Sequence, residues 1–160
     1  MVKQRMSSAD VAAEVACLRQ RILGLRVANI YDLTPKVLRE KSSELPSNFC
    51  LKLRKHCRTR RVEAVRQLGV DRCVELTLGS GPAAVHLILE MYAQGNIVLT
   101  DAKYEVLTLL RSHRDDARGL VIMARHPYPM GALRLAARVR PQQLDAAAPA
   151  AADYRGEKGW

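Results

Sequence analysis

The sequence predicts an α+β fold in which helices come first and an antiparallel run of strands follows. Two observations carry this. Apolar residues recur at helical spacing in two stretches of the first 61 residues, and from Val62 onward the period drops to two. The turns between the later stretches are also short, and only antiparallel neighbours can be joined so tightly.

Residues 8 to 23 form the first expected helix. Val11, Val15, Leu18 and Ile22 share one face. Ser7 and Asp10 make an S-x-x-D start, which caps free backbone N–H groups. Gly24 ends the periodicity. Leu25 to Leu33 then alternates as a strand does, with Leu25, Val27 and Tyr31 on one side. Thr34-Pro35 and Pro46-Ser47 are breakers, so residues 34 to 47 are expected to be a loop. A second helix is expected from Phe49 to Arg61, burying Phe49, Leu53 and Cys57.

Val62 to Leu68 and Arg72 to Leu78 flank the turn Gly69-Val70-Asp71. In the second arm Val74, Leu76 and Leu78 alternate with Glu75 and Thr77, the pattern of a half-buried strand. Gly79-Ser80-Gly81-Pro82 turns into a strand lined by Val85, Leu87, Leu89 and Met91. Gln94-Gly95-Asn96 leads to Ile97 to Thr100, and Asp101-Ala102-Lys103 to Tyr104 to Arg111. Leu120 to Ala124 suits one more strand, and Leu133 to Val139 a short helix. Ala146 to Ala152 is low in complexity, and residues 142–160 read as a disordered tail.

At 160 residues the chain fits one domain with a real core. Apolar residues make 48% and charged residues 26%, which excludes collagen, a disulfide scaffold and wholesale disorder. No stretch approaches the ~18 uninterrupted apolar residues of a membrane span. The opening Met1-Val2-Lys3-Gln4-Arg5 has no apolar core behind it, so no secretory signal is expected and the cytosol or nucleus is the default compartment.

The balance of 26 Lys and Arg against 16 Asp and Glu leaves +10. Such a surface attracts polyanions, with nucleic acid first and an anionic membrane face second. Cys17, Cys50, Cys57 and Cys73 form no C-x-x-C pair, and His56, His86, His113 and His126 are scattered, so no metal or cofactor is expected. No G-x-x-x-x-G-K-[ST] loop and no G-x-S-x-G elbow occurs.

Three features invite a functional reading. Lys52, Arg54, Lys55, Arg58, Arg60 and Arg61 form the densest basic run, suited to a phosphate backbone. The plain alternative is a solvated helix face. Such contacts supply affinity without sequence reading. Asp71-Arg72 sits at a hairpin tip, where function often lies, although Asp also favours turns for local reasons. Asp10 alone is explained by helix capping.

Four stretches in order resemble one family. Arg5-Met6-Ser7-Ser8-Ala9-Asp10 resembles an opening R-[FM]-[ST]-x-x-D motif. Phe49 to His56 and then Gln67-Leu68-Gly69-Val70-Asp71-Arg72 resemble its helix and hairpin. Glu90 to Asp101 resembles its E-x-Y-x-x-G-N-I-x-L-T-D stretch. The chain is thereby identified as similar, from about Arg5 to Pro129, to the N-terminal domain of the NFACT family, the relatives of nuclear export mediator factor and bacterial RqcH. Residues 1–140 would form this NFACT-N-like domain, shortened near 37–45, with 141–160 as tail.

The resemblance implies a fold and a function. The fold is an antiparallel β-sandwich with flanking helices, similar to the N-terminal domain of formamidopyrimidine-type DNA glycosylases. Those enzymes begin with a proline amine followed by Glu. Here Met1-Val2-Lys3 stands instead, so glycosylase activity is not expected. Family members bind a large ribosomal subunit that carries a stalled peptidyl-tRNA, recruit the ubiquitin ligase listerin in eukaryotes, and bring charged tRNA for template-free tailing of the nascent chain. Peptide-bond formation belongs to the ribosome, so no enzymatic activity is expected. Asp10, Asp71 and Arg72 match the family positions needed for tailing. An Arg clamps phosphate or base with a bidentate fork, and a carboxylate accepts from base amino groups or a 2′-hydroxyl. Lys52, Arg54, Lys55, Arg58, Arg60 and Arg61 would form the backbone-binding surface.

Departures from the pattern matter too. Between Val37 and Leu45 the chain is several tens of residues shorter than the family, which would remove neighbouring strands and open a sheet edge. It also ends without the family's helix-hairpin-helix, coiled coil and RNA-binding region. Listerin contact is expected only of a full-length protein, and a truncated product is expected here. The competing expectations are a generic basic RNA or DNA binder and a nonfunctional fragment.

Overall fold

In the computed structural model of the chain, residues 6–31, 46–92, 95–115 and 120–133 are described. Helix α1 (Ser8–Ile22) and helix α2 (Asn48–Cys57) precede five strands: β1 (Val62–Gln67), β2 (Cys73–Leu78), β3 (Val85–Glu90), β4 (Asn96–Asp101) and β5 (Val106–Leu109). A two-stranded ladder follows, β6 (His113–Asp115) with β7 (Leu120–Ile122), and then a single helical turn, α3 (Met130–Leu133). The five strands pair in chain order, each antiparallel to the next. The α+β expectation therefore holds, as an antiparallel meander with helices on one face and the β6–β7 ladder beyond the other.

Local chemistry explains the boundaries. Ser7 Oγ accepts from Asp10 N at 3.2 Å, and Asp10 Oδ2 accepts from Ser7 N at 2.6 Å, so the start of α1 is a reciprocal capping box. Ser47 caps α2 by accepting from Cys50 N. Asp101 Oδ1 accepts from the backbone N–H of Lys103 and Glu105 and closes the β4–β5 turn.

The alternation of period two divides the sheet into two cores. On one face Val65, Val74, Leu78, Val85 and Leu99 pack with Val11 and Val15 of α1 and Leu53 and Cys57 of α2. On the other Cys73, Ile88, Val98 and Val106 pack with Ile122 and Tyr128. Each fully buried aliphatic side chain contributes about 1.5–3 kcal/mol.

Several expectations need correction. Residues 25–31 do not form a strand, and 32–33 lie outside the described residues. Arg26 makes one isolated bridge to Arg61, Val27 exchanges backbone hydrogen bonds with Thr59 and Arg60, and Leu25 O accepts from Val62 N, so this segment pairs with the α2–β1 link and only the first residue of β1. The second helix stops at Cys57, not Arg61. Thr59 takes a positive φ of 65° and donates its N–H to Val27 O, which pulls the chain out of helical register. The β5 strand begins at Val106 because Tyr104, also at positive φ, still belongs to the turn. Strand β6 lacks any clear sequence signal. A helical turn occupies Met130–Leu133, just before and overlapping the start of the expected 133–139 helix. Residues 134–139 of that expectation, most of the 34–47 loop with the 37–45 shortening, and the tail 141–160 lie outside the described residues.

The largest correction concerns β2, which is not half-buried. Glu75 is 0% exposed. Its Oε2 accepts from Arg66 Nε at 2.6 Å, and its Oε1 accepts from Tyr104 OH at 2.9 Å and lies 2.6 Å from His86 Nδ1. His86 stacks on Tyr104 with ring centroids 4.4 Å apart. A buried carboxylate is tolerable only when paired and hydrogen-bonded in this way. Arg66 and Glu75 are register partners on β1 and β2, His86 opposite Thr77 on β3 is Glu75's diagonal neighbour, and Tyr104 from the β4–β5 turn closes the group.

Candidate nucleic-acid interface

The β1–β2 turn and the start of α1 meet at one end of the sheet. Leu68 N donates to Cys73 O at 2.8 Å and Asp71 N to Leu68 O at 3.3 Å, which shapes a tight tip carrying Asp71 and Arg72 as expected. Ser8 Oγ, in the first turn of α1, donates to Val70 O in that tip. Gln67 Nε2 donates to Ser8 Oγ at 3.0 Å, to Ser8 O at 3.1 Å and to Asp71 O at 2.7 Å. Asp10 lies two residues along the same helical turn as Ser8. Asp71 and Arg72 thus lie against the first turn of α1, whereas the Asp10 side chain is about 200° of helical rotation on from Ser8.

Asp10 has a local duty there, since its carboxylate accepts from both Ser7 N and Ser7 Oγ. Asp71 and Arg72 are half-buried. Arg72 N donates to Asp71 Oδ1 at 2.9 Å. The Arg72 guanidinium lies over the Tyr92 ring at 5.6 Å. Tyr92 OH accepts from Cys73 Sγ at 3.3 Å and lies beside the Asp71 carboxylate, and burial, with these two neighbours, pushes its phenol well above the usual tyrosine range. Burial likewise pushes the Cys73 thiol up to about 11.

The basic run divides into two groups. Lys52, Lys55 and Arg58 are exposed, on α2 and at its C-cap. The others are engaged with the fold. Arg54 Nε donates to Ile30 O at 2.6 Å, and its guanidinium faces the Tyr31 ring at 5.6 Å. Arg60 donates to His56 O and Ala83 O. Arg61 lies 3.8 Å from Glu63 and crosses Gly24, where φ is +80° and a Cβ would sit 3.4 Å from Arg61 Nη2. Only Lys52, Arg54 and Lys55 of the six belong to the helix proper, because α2 ends early. Burial, helped by Lys55 and Arg60, holds His56 below the usual histidine range, so it adds no charge here at neutral pH.

Gln67 and Tyr92 are the residues that sequence reasoning left without a role. Both stood inside stretches that carried the family resemblance. Nothing in their local spacing, however, says that Gln67 reaches back to α1 or that Tyr92 reaches the Asp71-Arg72 tip. Among the described residues no group of three or more His, Cys, Asp or Glu is arranged to hold a metal ion.

A basic α+β domain whose helix start and hairpin tip share one corner is the class this geometry defines. Residues 19–131 match the family described as NFACT N-terminal and middle domains, and the chain belongs to the NFACT family. The ribosome quality control complex subunit NEMF of Homo sapiens is 37% identical over 161 aligned positions, covering 84% of this chain and 15% of that protein. Its Drosophila melanogaster homolog is 34% identical over 157 positions, 81% of this chain and 16% of that protein. Ribosome quality control complex subunit 2 of Schizosaccharomyces pombe is 33% identical over 141 positions, 69% of this chain and 14% of that protein. The chain thus spans about a seventh of the length of these relatives. The 161 aligned positions exceed 84% of 160 residues, so the human relative carries extra residues inside the matched stretch.

Solved structures agree on the fold. The N-terminal domain of fibronectin-binding protein PavA from Streptococcus pneumoniae superposes with a TM-score of 0.61 at 18% identity, covering 76% of this chain and 60% of that one. The N-terminal part of the fibronectin/fibrinogen-binding protein from Streptococcus suis gives 0.58 at 18% identity, covering 74% and 59%.

Proposed function

We propose that this chain is an RNA-binding module of ribosome-associated quality control. It contacts the large ribosomal subunit carrying a stalled peptidyl-tRNA and engages tRNA for template-free tailing. It acts by binding and not as an enzyme, and it works in the cytoplasm, with listerin contacted only by a longer protein. The family membership and the ribosome quality control relatives support the ribosomal setting.

The observation that carries the tRNA assignment is the meeting of α1's first turn with the β1–β2 tip through Ser8, Gln67 and Val70. It sets Asp71 and Arg72 against the helix whose first turn carries Asp10, and such an acid–arginine combination is fit to discriminate RNA groups rather than merely attract phosphate. Lys52, Lys55 and Arg58 supply salt-sensitive backbone affinity. Arg54, Arg60 and Arg61 assist less, because each also holds a contact inside the fold.

The test is binding of the purified chain to tRNA and to isolated large ribosomal subunits across salt concentrations. Wild type is compared with Asp71→Ala/Arg72→Ala. The proposal expects specific binding that the double variant loses. Equal, purely salt-dependent binding in both proteins would leave a generic basic binder and overturn it.

A further inference from the structure

One side chain lies beside both members of the Asp71-Arg72 pair. Tyr92 follows β3 by two residues and is half-buried. Its ring carries the Arg72 guanidinium on one face at 5.6 Å. Its hydroxyl accepts from Cys73 Sγ at 3.3 Å, which places it next to the Asp71 carboxylate. Met91 N donates to Arg72 O at 2.9 Å, which pins the two backbones so that these contacts persist.

These contacts have a consequence for recognition. An Arg next to an Asp tends to satisfy its own neighbour, and a quenched pair offers nothing to a ligand. Among the described residues Asp71 and Arg72 form no ion pair with each other. Tyr92 engages them separately. The ring restricts the guanidinium to one plane while leaving its N–H fork unspent. The carboxylate accepts from Arg72 N at 2.9 Å and keeps other acceptor sites, since an ionised carboxylate has about four. The burial of Cys73 beneath the hydroxyl keeps that end of the ring from swinging out.

We propose that Tyr92 is the positioning residue of the Asp71-Arg72 pair, holding the guanidinium and the carboxylate apart and oriented toward an RNA ligand. This rests on the RNA-binding function proposed above and assigns it a residue that acts through the pair.

The test uses the full chain and two probes, tRNA and single-stranded polyuridylate, with the ratio of affinities at fixed salt as readout and Tm as control. Tyr92→Leu removes both ring and hydroxyl, and is expected to lower the ratio by about tenfold, to the level of Arg72→Ala, with polyuridylate affinity retained. Tyr92→Phe keeps the ring. It is expected to lower the ratio partly, and Asp71→Ala added to it lowers the ratio less than in wild type. A tyrosine with only a structural role would lower Tm and weaken both probes in parallel. A wild-type ratio in Tyr92→Phe and Tyr92→Leu, while Asp71→Ala and Arg72→Ala lose it, would overturn the positioning role alone. A wild-type protein that does not distinguish the probes would overturn the RNA-reading function and this role with it.

Discussion

Gln67 donates its side-chain amide to Ser8 Oγ at 3.0 Å, joining two residues 59 positions apart. The same nitrogen donates to Asp71 O at 2.7 Å. One amide group therefore fixes the start of α1 against the turn that carries Asp71 and Arg72. Replacing Gln67 with Ala leaves Ser8 O and Asp71 O without that donor, at a cost of about 1–2 kcal/mol. Urea unfolding should show it as a lowered midpoint at unchanged slope. The tRNA preference over polyuridylate should fall as well, and an unchanged preference would detach Asp10 from the site.

Asp10 has a structural duty as well as a proposed one, and the two separate by substitution. Asp10→Ala removes half of the capping box and should cost about 1 kcal/mol. Asp10→Asn keeps an acceptor for Ser7 N and should cost less. If tRNA selectivity falls equally in both variants, the negative charge is what matters to RNA. If selectivity tracks stability instead, capping is the whole role.

The basic run should behave as two groups. Lys52→Ala/Lys55→Ala/Arg58→Ala touches only exposed cations and should leave stability within about 0.5 kcal/mol. It should reduce the slope of log affinity against log salt by about 2. Arg60→Ala should do the reverse, with little change in slope but a loss of about 1–2 kcal/mol, because His56 O and Ala83 O lose their donor. Equal effects from both would mean that the division is not functional.

Glu75→Gln should be among the most destabilising single changes in the sheet. The carboxylate is buried and accepts from Arg66 and Tyr104 while facing His86. A neutral amide weakens the Arg66 contact and turns one acceptor into a donor. A loss of about 2–3 kcal/mol is expected, moderated because Arg66 is half exposed and can be rehydrated. Thermal unfolding of the variant reads this directly, and a Tm within error of wild type would contradict the proposed stabilising role.

Alkaline pH should loosen the fold through two thiols. Burial raises Cys57 and Cys73 from an ordinary 9.0 to about 11. Between these values the folded chain holds protons that the unfolded chain releases. The stabilisation is therefore complete below pH 9 and declines as pH rises toward 11. Tm measured from pH 8 to 11 should fall across that window. The half-buried Cys17 should react with a thiol reagent before any of the three buried cysteines, Cys50, Cys57 and Cys73.

The sequence by itself determined the order of the two main helices and of the five sheet strands, and the apolar stripe of each, because helical and strand periods are local properties. Val11, Val15, Leu53, Val74 and Leu78 point where their spacing says they must. The capping box at Ser7 and Asp10 and the tip at Asp71 were equally legible, since caps and turns depend on side chains a few positions away. The tertiary structure decided what period alone leaves open. Alternation separates Glu75 from Leu76, but it does not say that Tyr104, Ile122 and Tyr128 return to cover the second face and bury a glutamate. Helical spacing continues past Cys57, yet the link to β1 pairs with residues 24–27, and that long-range pairing ends α2 and takes Arg60 and Arg61 off its surface. The corner where Ser8, Gln67, Asp71, Arg72 and Tyr92 converge exists only because three distant segments pack together. Contacts across such separations are chosen by burial and hydrogen-bond satisfaction over the whole chain, and no local window encodes them.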